Sequence, residues 1–169
     1  TRDIVRSLLL RESDLGLSLH DPDHADLDCQ VIAQGKLQLL APHGWLQPKQ
    51  KYISLQDLAG QSMIGLEGHD PLSPALENKL HGLRPAPVIQ TRVQTHQMMR
   101  SMVEAGEGLA IVDPFTALGA KASGLDTCPL APAIPISLYA LSLKNVEPSP
   151  AIQALLAIVT EQAAAMLTN

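Results

Sequence analysis

The side chains that most often do chemistry, histidine and the carboxylates, are spread along this chain instead of being gathered into a catalytic motif. The six histidines are His20, His24, His43, His69, His81 and His96. The sequence holds no H-E-x-x-H or C-x-x-C metal signature and no G-x-S-x-G nucleophile turn. Because no nucleophile and base are paired in a known spacing, the sequence predicts that the chain is not an enzyme.

One acidic stretch could be imagined as a metal site. It contains His20, Asp21, Asp23, His24, Asp26 and Asp28. These residues form one contiguous loop without i, i+4 placement on a helix, so a solvated acidic loop is favoured. The pair Gly106 and Gly108 precedes a strand instead of following one, which does not fit a phosphate-binding turn. The sequence therefore predicts no metal and no cofactor.

The composition limits the partners. Hydrophobic residues make up 46% of the chain and charged residues 17%, which is typical of a globular domain. The net charge is −5 and the densest basic pair is Lys49 with Lys51, so we do not expect the chain to bind nucleic acid by itself. Cys29 and Cys128 stand alone and are interpreted as small buried apolar residues.

Targeting signals are not apparent. No signal peptide opens the chain, and we see no apolar run approaching the roughly 20 residues that span a bilayer. A cytoplasmic location and no contact with a membrane are therefore expected, although a mature periplasmic protein would also lack its leader.

The spacing of apolar residues predicts alternating strands and helices. Helices are predicted at 2–10, after Ser54, at 73–81, after Thr95, after Asp113 and after Ser149. Strands are predicted at 15–19, 30–33, 36–41, 63–66, 88–93, 109–112 and 136–143. The segments 30–33 and 36–41 are either a hairpin or one bulged ribbon. The order through the middle favours an α/β fold with a parallel or mixed sheet.

Four stretches then resemble one family. Residues 95–114 read THQMMRSMVEAGEGLAIVDP and are similar to the pattern V-x-A-G-x-G-(L/V)-(A/S)-(I/L)-(V/L)-x-P of the effector-binding domain of LysR-type transcriptional regulators. The segments 12–17, 39–44 and 53–64 also resemble that domain, in the right order. Ser62 departs from the pattern, which often has proline there. The tract 112–118 resembles the subgroup of lysine-biosynthesis, octopine and nopaline regulators, which implies an amino acid or opine effector.

The resemblance implies a fold and a domain organisation. The fold is α/β, with two Rossmann-like lobes of the type II periplasmic-binding-protein kind joined by two crossing strands. Residues 1–40 and 115–169 would form the first lobe, and 41–114, extending to about 125, the second. The helix-turn-helix domain and the first strand, helix and strand of the sensor domain would be absent from this chain, leaving the first lobe incomplete.

The resemblance also places a small-molecule effector in the cleft between lobes, at strand ends and helix N-termini. Such positions suit a carboxylate, because the first amides of a helix are unpaired and carry partial positive charge. The candidate residues are Thr1, His20, Leu66, Glu67, Gly68, His69, Thr95, His96, Gln97 and Asp113. Thr1 and Thr95 are also interpretable as plain helix caps, Asp113 is first of all an N-cap, and Glu67 is also interpretable as a solvated loop carboxylate.

The whole regulator is expected to form a homodimer or homotetramer, to contact DNA through the absent domain, and to meet RNA polymerase. Two other hypotheses stay open. A periplasmic solute-binding protein shares the two-lobed architecture, and an upstream secretory leader would favour it. An enzyme of the same lobed fold is the third, although the sequence offers no catalytic constellation for it.

Overall fold

The computed structural model describes residues 1–67 and 72–168, and for 72–75 and 168 it describes the helical backbone alone. The elements in chain order are α1 (Arg2–Leu9), β1 (Gly16–Ser18), β2 (Leu27–Lys36), β3 (Gln38–Ala41), β4 (Ile53–Ser54), a 3-10 helix (Leu55–Leu58), β5 (Ser62–Leu66), α2 (Leu72–His81), β6 (Val88–Val93), α3 (His96–Glu104), β7 (Leu109–Val112), α4 (Pro114–Ala122), β8 (Asp126–Ala131), β9 (Pro135–Leu143) and α5 (Pro150–Thr168).

The chain divides into two compact units. The first consists of Thr1–Gly35 and Pro135–Asn169, and the second of Lys36–Ile134. Both boundaries differ from the predicted ones, which placed 36–40 in the first lobe and ended the second lobe between 114 and 125. The reason is β8, which was not predicted. It pairs with β3 from Gln38 to Ala41 and so holds the chain in the second unit up to Ile134.

The first unit contains a three-stranded sheet in the order β1-β9-β2. β1 runs antiparallel to β9, with Gly16 opposite Leu141. Helix α1 packs closely on β1, and the absence of a side chain at Gly16 permits this, since a Cβ there would overlap a methyl carbon of Ile4. Leu8, Leu27 and Leu141 form the buried centre of this packing.

The second unit contains a six-stranded mixed sheet in the order β4-β8-β3-β7-β5-β6. β5 is parallel to both β6 and β7, whereas β3 is antiparallel to β7 and β8. Since β2 and β3 belong to different sheets, segments 30–33 and 36–41 do not form a hairpin. The bulged-ribbon alternative describes them better.

Helices α3 and α4 pack on the middle of the six-stranded sheet. The buried cluster that joins them to the sheet contains Leu40, Ile64, Val93, Met99, Val103, Ala110, Val112, Ala117, Ala120 and Leu125. Met99 and Val103 lie four residues apart and therefore face the same side of α3. Met98 is half exposed and lies on the outer side of the helix.

Helix α5 is largely exposed. Leu155 is 46% exposed, and Ile158 is exposed as well. By length and composition α5 could also span a membrane, because the window Pro150–Leu167 has a mean hydropathy of 1.4 and 6% of it is buried. The expectation that no apolar run is long enough is therefore wrong. One such helix is weak support for a membrane location, because core helices of soluble proteins and signal sequences meet the same criterion.

Both cysteines are unpaired. Burial raises the pKa of the Cys29 thiol to about 12, and the neighbouring Asp21 raises it further in the same direction. Burial also raises the pKa of Cys128. Both thiols therefore stay protonated at neutral pH and behave as small apolar groups.

Candidate functional site

The carboxyl ends of three parallel strands meet at one edge of the sheet in the second unit. β5, β6 and β7 end at Leu66, Val93 and Val112. The residues that follow these strands therefore lie along the same edge, where α3 and α4 begin. This edge carries Glu67, Thr95, His96, Gln97 and Asp113, all of which the sequence analysis selected.

Thr95 caps helix α3. Its side-chain oxygen accepts a hydrogen bond from the backbone N–H of Met98, over 3.1 Å. The predicted cap is thus confirmed. The hydroxyl proton of Thr95 is not used in this bond, and both Thr95 and Gln97 are exposed. Their polar groups therefore remain accessible to a ligand.

Asp113 caps helix α4 and is almost completely buried, with 3% of the residue exposed. Its Oδ1 accepts hydrogen bonds from the backbone N–H groups of Phe115 and Thr116, over 2.9 and 3.0 Å. Its Oδ2 accepts one from the Thr116 hydroxyl over 2.6 Å and lies 3.0 Å from Nδ1 of His96. The carboxylate therefore links the start of α4 to the first residue of α3.

These donors decide the charge of Asp113. Burial alone would raise the pKa of Asp113, but hydrogen bonds from His96 and from the side chain and backbone of Thr116 outweigh it. The pKa lies below its ordinary value as a result. Asp113 is therefore ionised at neutral pH, and its negative charge is held inside the second unit.

We expect this charge to make the stability of the chain depend on acid. Because the pKa of Asp113 is depressed by folding, its contribution to stability is present above the unfolded carboxyl pKa and is lost as the pH falls through the folded one. Melting temperatures of the wild type and of Asp113→Asn, measured between about pH 7 and pH 3, should show a shallower acid decline for the variant. Parallel declines would contradict this.

Glu67 lies at the end of β5. Its backbone N–H donates to the carbonyl oxygen of Val93 over 2.7 Å, which ties the end of β5 to the end of β6. Its side chain is exposed, whereas Leu66 is half-buried. The candidate residues Gly68 and His69 lie outside the described residues.

An ion pair supports the same edge from the side. Arg92 on β6 donates to both carboxylate oxygens of Glu77 on α2, over 2.6 and 3.1 Å, and to the carbonyl oxygen of Leu66 over 3.2 Å. The hydrogen bond from Arg92 lowers the pKa of Glu77. This arrangement fixes the carboxyl end of β5 to its neighbours.

A second polar cluster lies in the first unit. The Thr1 hydroxyl oxygen is 3.3 Å from the Ser18 hydroxyl oxygen and 3.2 Å from Nδ1 of His20. Ser18 also donates to the carbonyl oxygen of His20 over 2.8 Å. The Thr1 side chain makes no capping hydrogen bond to α1. The structure therefore brings Thr1 and His20 together and does not use Thr1 as a side-chain cap.

Ser18 is the residue that the sequence analysis missed. It is buried, with 6% exposed, at the end of β1, and it connects Thr1 to His20. The available signal was its polar side chain on the inward-facing side of a strand whose neighbour Gly16 is also buried. Among the described residues, no group of three or more His, Cys, Asp or Glu side chains could hold a metal ion.

Comparisons with known proteins identify the family and the fold of the chain. The family model of the LysR substrate binding domain matches residues 1–164. The HTH-type transcriptional regulator DgcR of Pseudoalteromonas sp. is 24% identical over 145 residues, which cover 85% of this chain and 49% of the regulator. The chain therefore spans about half the length of that curated relative.

Solved structures share the fold. The Synechocystis PCC6803 CcmR regulatory domain in complex with 2-PG matches 95% of this chain and 78% of its own, with a TM-score of 0.75 and 17% identity. The effector-binding domain of QuiR in complex with shikimate matches 96% of this chain and 78% of its own, with a TM-score of 0.74 and 20% identity. HinK, a LysR family transcriptional regulator of Pseudomonas aeruginosa, matches 98% of this chain and 58% of its own, with a TM-score of 0.76 and 21% identity. The predicted α/β fold of the periplasmic-binding-protein kind is confirmed.

Proposed function

Because this chain belongs to the family of LysR substrate-binding domains, we propose that it senses an amino acid or opine-like carboxylate for a bacterial transcriptional regulator. Proteins of the family are regulators and not enzymes. The binding of a small metabolite by the chain would then control transcription through the remainder of the regulator.

The observation that carries this proposal is the polar edge of the second unit. Thr95, His96 and Gln97 stand at the start of α3, where helical geometry leaves the first backbone N–H groups without a partner inside the helix. These groups suit a carboxylate. The Glu67 carboxylate at the end of β5 suits the ammonium group of the same molecule.

The first unit supports the proposal with its own cluster. The Thr1 hydroxyl lies within hydrogen-bonding distance of both the Ser18 hydroxyl and Nδ1 of His20. Thr1 does not cap its helix through the side chain and is exposed, so this hydroxyl and its two partners form a polar cluster that a ligand can reach. We propose that this cluster of the first unit takes part in binding a polar ligand.

Two proteins of the same fold were solved with small ligands. The CcmR regulatory domain and the QuiR effector-binding domain were solved with 2-PG and with shikimate, respectively. An amino acid or opine belongs to the same size range of small polar metabolites. The choice of this class for our chain rests on the resemblance of tract 112–118 to the lysine, octopine and nopaline regulators.

The whole protein is proposed to be a cytoplasmic regulator that forms a homodimer or homotetramer. Its DNA contacts would come from a helix-turn-helix domain outside this chain, and RNA polymerase would be a further partner. Effector binding would shift the population of two arrangements of the oligomer and so the spacing of its DNA-binding domains. The periplasmic solute-binding alternative is not favoured, because the matching family and the curated relative are regulators.

A thermal-shift screen tests the proposed effector class. We expect lysine, diaminopimelate, arginine, octopine or nopaline to raise the melting temperature, because a ligand that binds only the folded state stabilises it by mass action. At 100 times the dissociation constant the gain is about 2.7 kcal/mol, or about 5–11 °C for a chain of this size. The chain itself and the whole regulator should respond alike.

Shikimate, 2-PG and benzoate serve as comparison ligands in the same screen. A shift with benzoate and none with the amino acids or opines would show that the proposed subgroup is wrong. No shift with any of these compounds would contradict the proposed effector class as a whole.

A further inference from the structure

We infer that Asp113 is a positioning residue that selects the tautomer of His96, so that the imidazole presents Nε2 to the effector as a hydrogen-bond acceptor. The part of this inference that concerns the effector rests on the proposed function. The part that concerns the tautomer stands on the geometry of the second unit alone.

The surroundings of Asp113 prevent it from serving the effector directly. Its two oxygens face the N–H groups of Phe115 and Thr116, the hydroxyl of Thr116 and Nδ1 of His96, all between 2.6 and 3.0 Å away. An ionised carboxylate accepts about four hydrogen bonds in total. Its acceptor positions are therefore occupied, and the residue is almost completely buried.

The same surroundings decide which nitrogen of His96 carries the proton. A carboxylate has no proton to donate, so a contact of 3.0 Å with Nδ1 is favourable when Nδ1 carries the hydrogen. In a neutral ring, Nε2 is then an acceptor. The surroundings of Asp113 thus set the chemistry of an atom on the opposite side of the ring.

His96 is placed where this difference matters. Its side chain is 21% exposed, so one part of the ring is buried against Asp113 and another part reaches the surface. Among the residues whose side chains the structure describes, the contact of the His96 ring is made through Nδ1, and Nε2 forms no hydrogen bond. His96 is also the first residue of α3 and directly follows the exposed Thr95.

These features define the chemical group that fits at this point. An acceptor nitrogen pairs with a donor, and the nearby carboxylates of Asp113 and Glu67 favour positive charge along the edge. Arg92 on β6 already pairs with Glu77 on α2. The charged residues on α3 and α4 are Arg100, Glu104 and Lys121. An ammonium or hydroxyl group of the effector is therefore expected at His96, and its carboxylate at the unpaired amides of α3.

The tautomer can be measured without any effector. We propose to record the imidazole nitrogen signals of His96 in the ¹⁵N-labelled chain by long-range proton–nitrogen NMR, well above the usual titration range of imidazole. The wild type should show Nδ1 protonated and Nε2 unprotonated. A wild-type ring with the proton on Nε2, or on both nitrogens, would overturn the inference.

Asp113→Asn tests whether Asp113 is the cause. Asparagine is a good helix cap, so its oxygen can still accept from the Phe115 and Thr116 amides. Its NH₂ group would then face Nδ1 of His96, which must become an acceptor. The proton should move to Nε2 in this variant, and an unchanged tautomer would show that Asp113 does not select it.

Thr116→Val is the matched control, because it removes another donor to the same oxygen while leaving the carboxylate in place. It should keep the wild-type tautomer, and a change there would overturn the assignment to Asp113. If Asp113→Asn fails to fold, the wild-type and Thr116→Val spectra still decide the matter. A failed effector screen with the expected tautomers would count against the proposed function and leave the tautomer assignment intact.

Discussion

Replacing Leu39 with alanine is expected to lower the free energy of unfolding by about 3–5 kcal/mol. Leu39 is 0% exposed and lies on β3, which is flanked on both sides by β7 and β8. A central strand held on both sides cannot collapse into the space that the lost side chain leaves, so most of the cavity remains. Urea unfolding followed by circular dichroism gives the change in free energy.

Leu155→Ala on α5 makes the same chemical change at an exposed position. Because 46% of Leu155 is already exposed, its truncation removes much less buried surface, and a loss of about 1 kcal/mol or less is expected. Equal losses for the two variants would contradict the placement of β3 in the centre of the sheet.

His96→Ala is expected to have the largest effect on effector binding. In the proposed site His96 accepts a hydrogen bond from an ammonium group of the effector, and hydrogen bonds to charged groups contribute about 1.5–3 kcal/mol. The dissociation constant should therefore rise about 10-fold to 150-fold. Isothermal titration with the amino acid or opine that gives the largest thermal shift measures this change.

His43→Ala provides the control for loss of an imidazole. β3 is antiparallel to β7, so His43, which follows β3, lies toward the opposite edge of the sheet from His96. Its side chain is 88% exposed. We expect less than about a 2-fold change in affinity, as for a surface substitution away from a site. A comparable loss in both variants would point to a site elsewhere.

The sequence predicted best those features that depend on a few neighbouring residues. The caps Thr95 and Asp113 were predicted because a short polar side chain before an apolar helix has a local purpose, and the structure confirms both hydrogen bonds. The end of β7 at Val112 was predicted because a short, fully apolar run of this length is typical of a buried strand.

Strand β8 could not be predicted in the same way. Its segment DTCPLA contains Pro129 and alternates weakly, and its partner β3 is about 90 residues away in sequence. A pairing at this distance depends on the tertiary fold, so the local pattern carries little of it. The predicted end of the second lobe, between 114 and 125, therefore did not take this strand into account.

The sequence predicted most residues of the candidate site but not the contacts between them. The topology placed His96 and Asp113 after neighbouring strands, but their 3.0 Å contact depends on how α3 and α4 pack together. Ser18 was missed for the same reason. Its role depends on contacts with Thr1, which is 17 residues away in sequence, and with His20, which is 2 residues away. Periodicity identified α5 as a helix but could not show how much of it is covered.

The most direct test of the account is a chemical-shift map of the effector on the ¹⁵N-labelled chain. Backbone amides that follow β5, β6 and β7, above all Glu67, His96 and Gln97, should shift most. The predicted result is thus a change at the carboxyl edge of the parallel strands. Shifts confined to α5, or to residues 42–45 at the opposite edge, would contradict it.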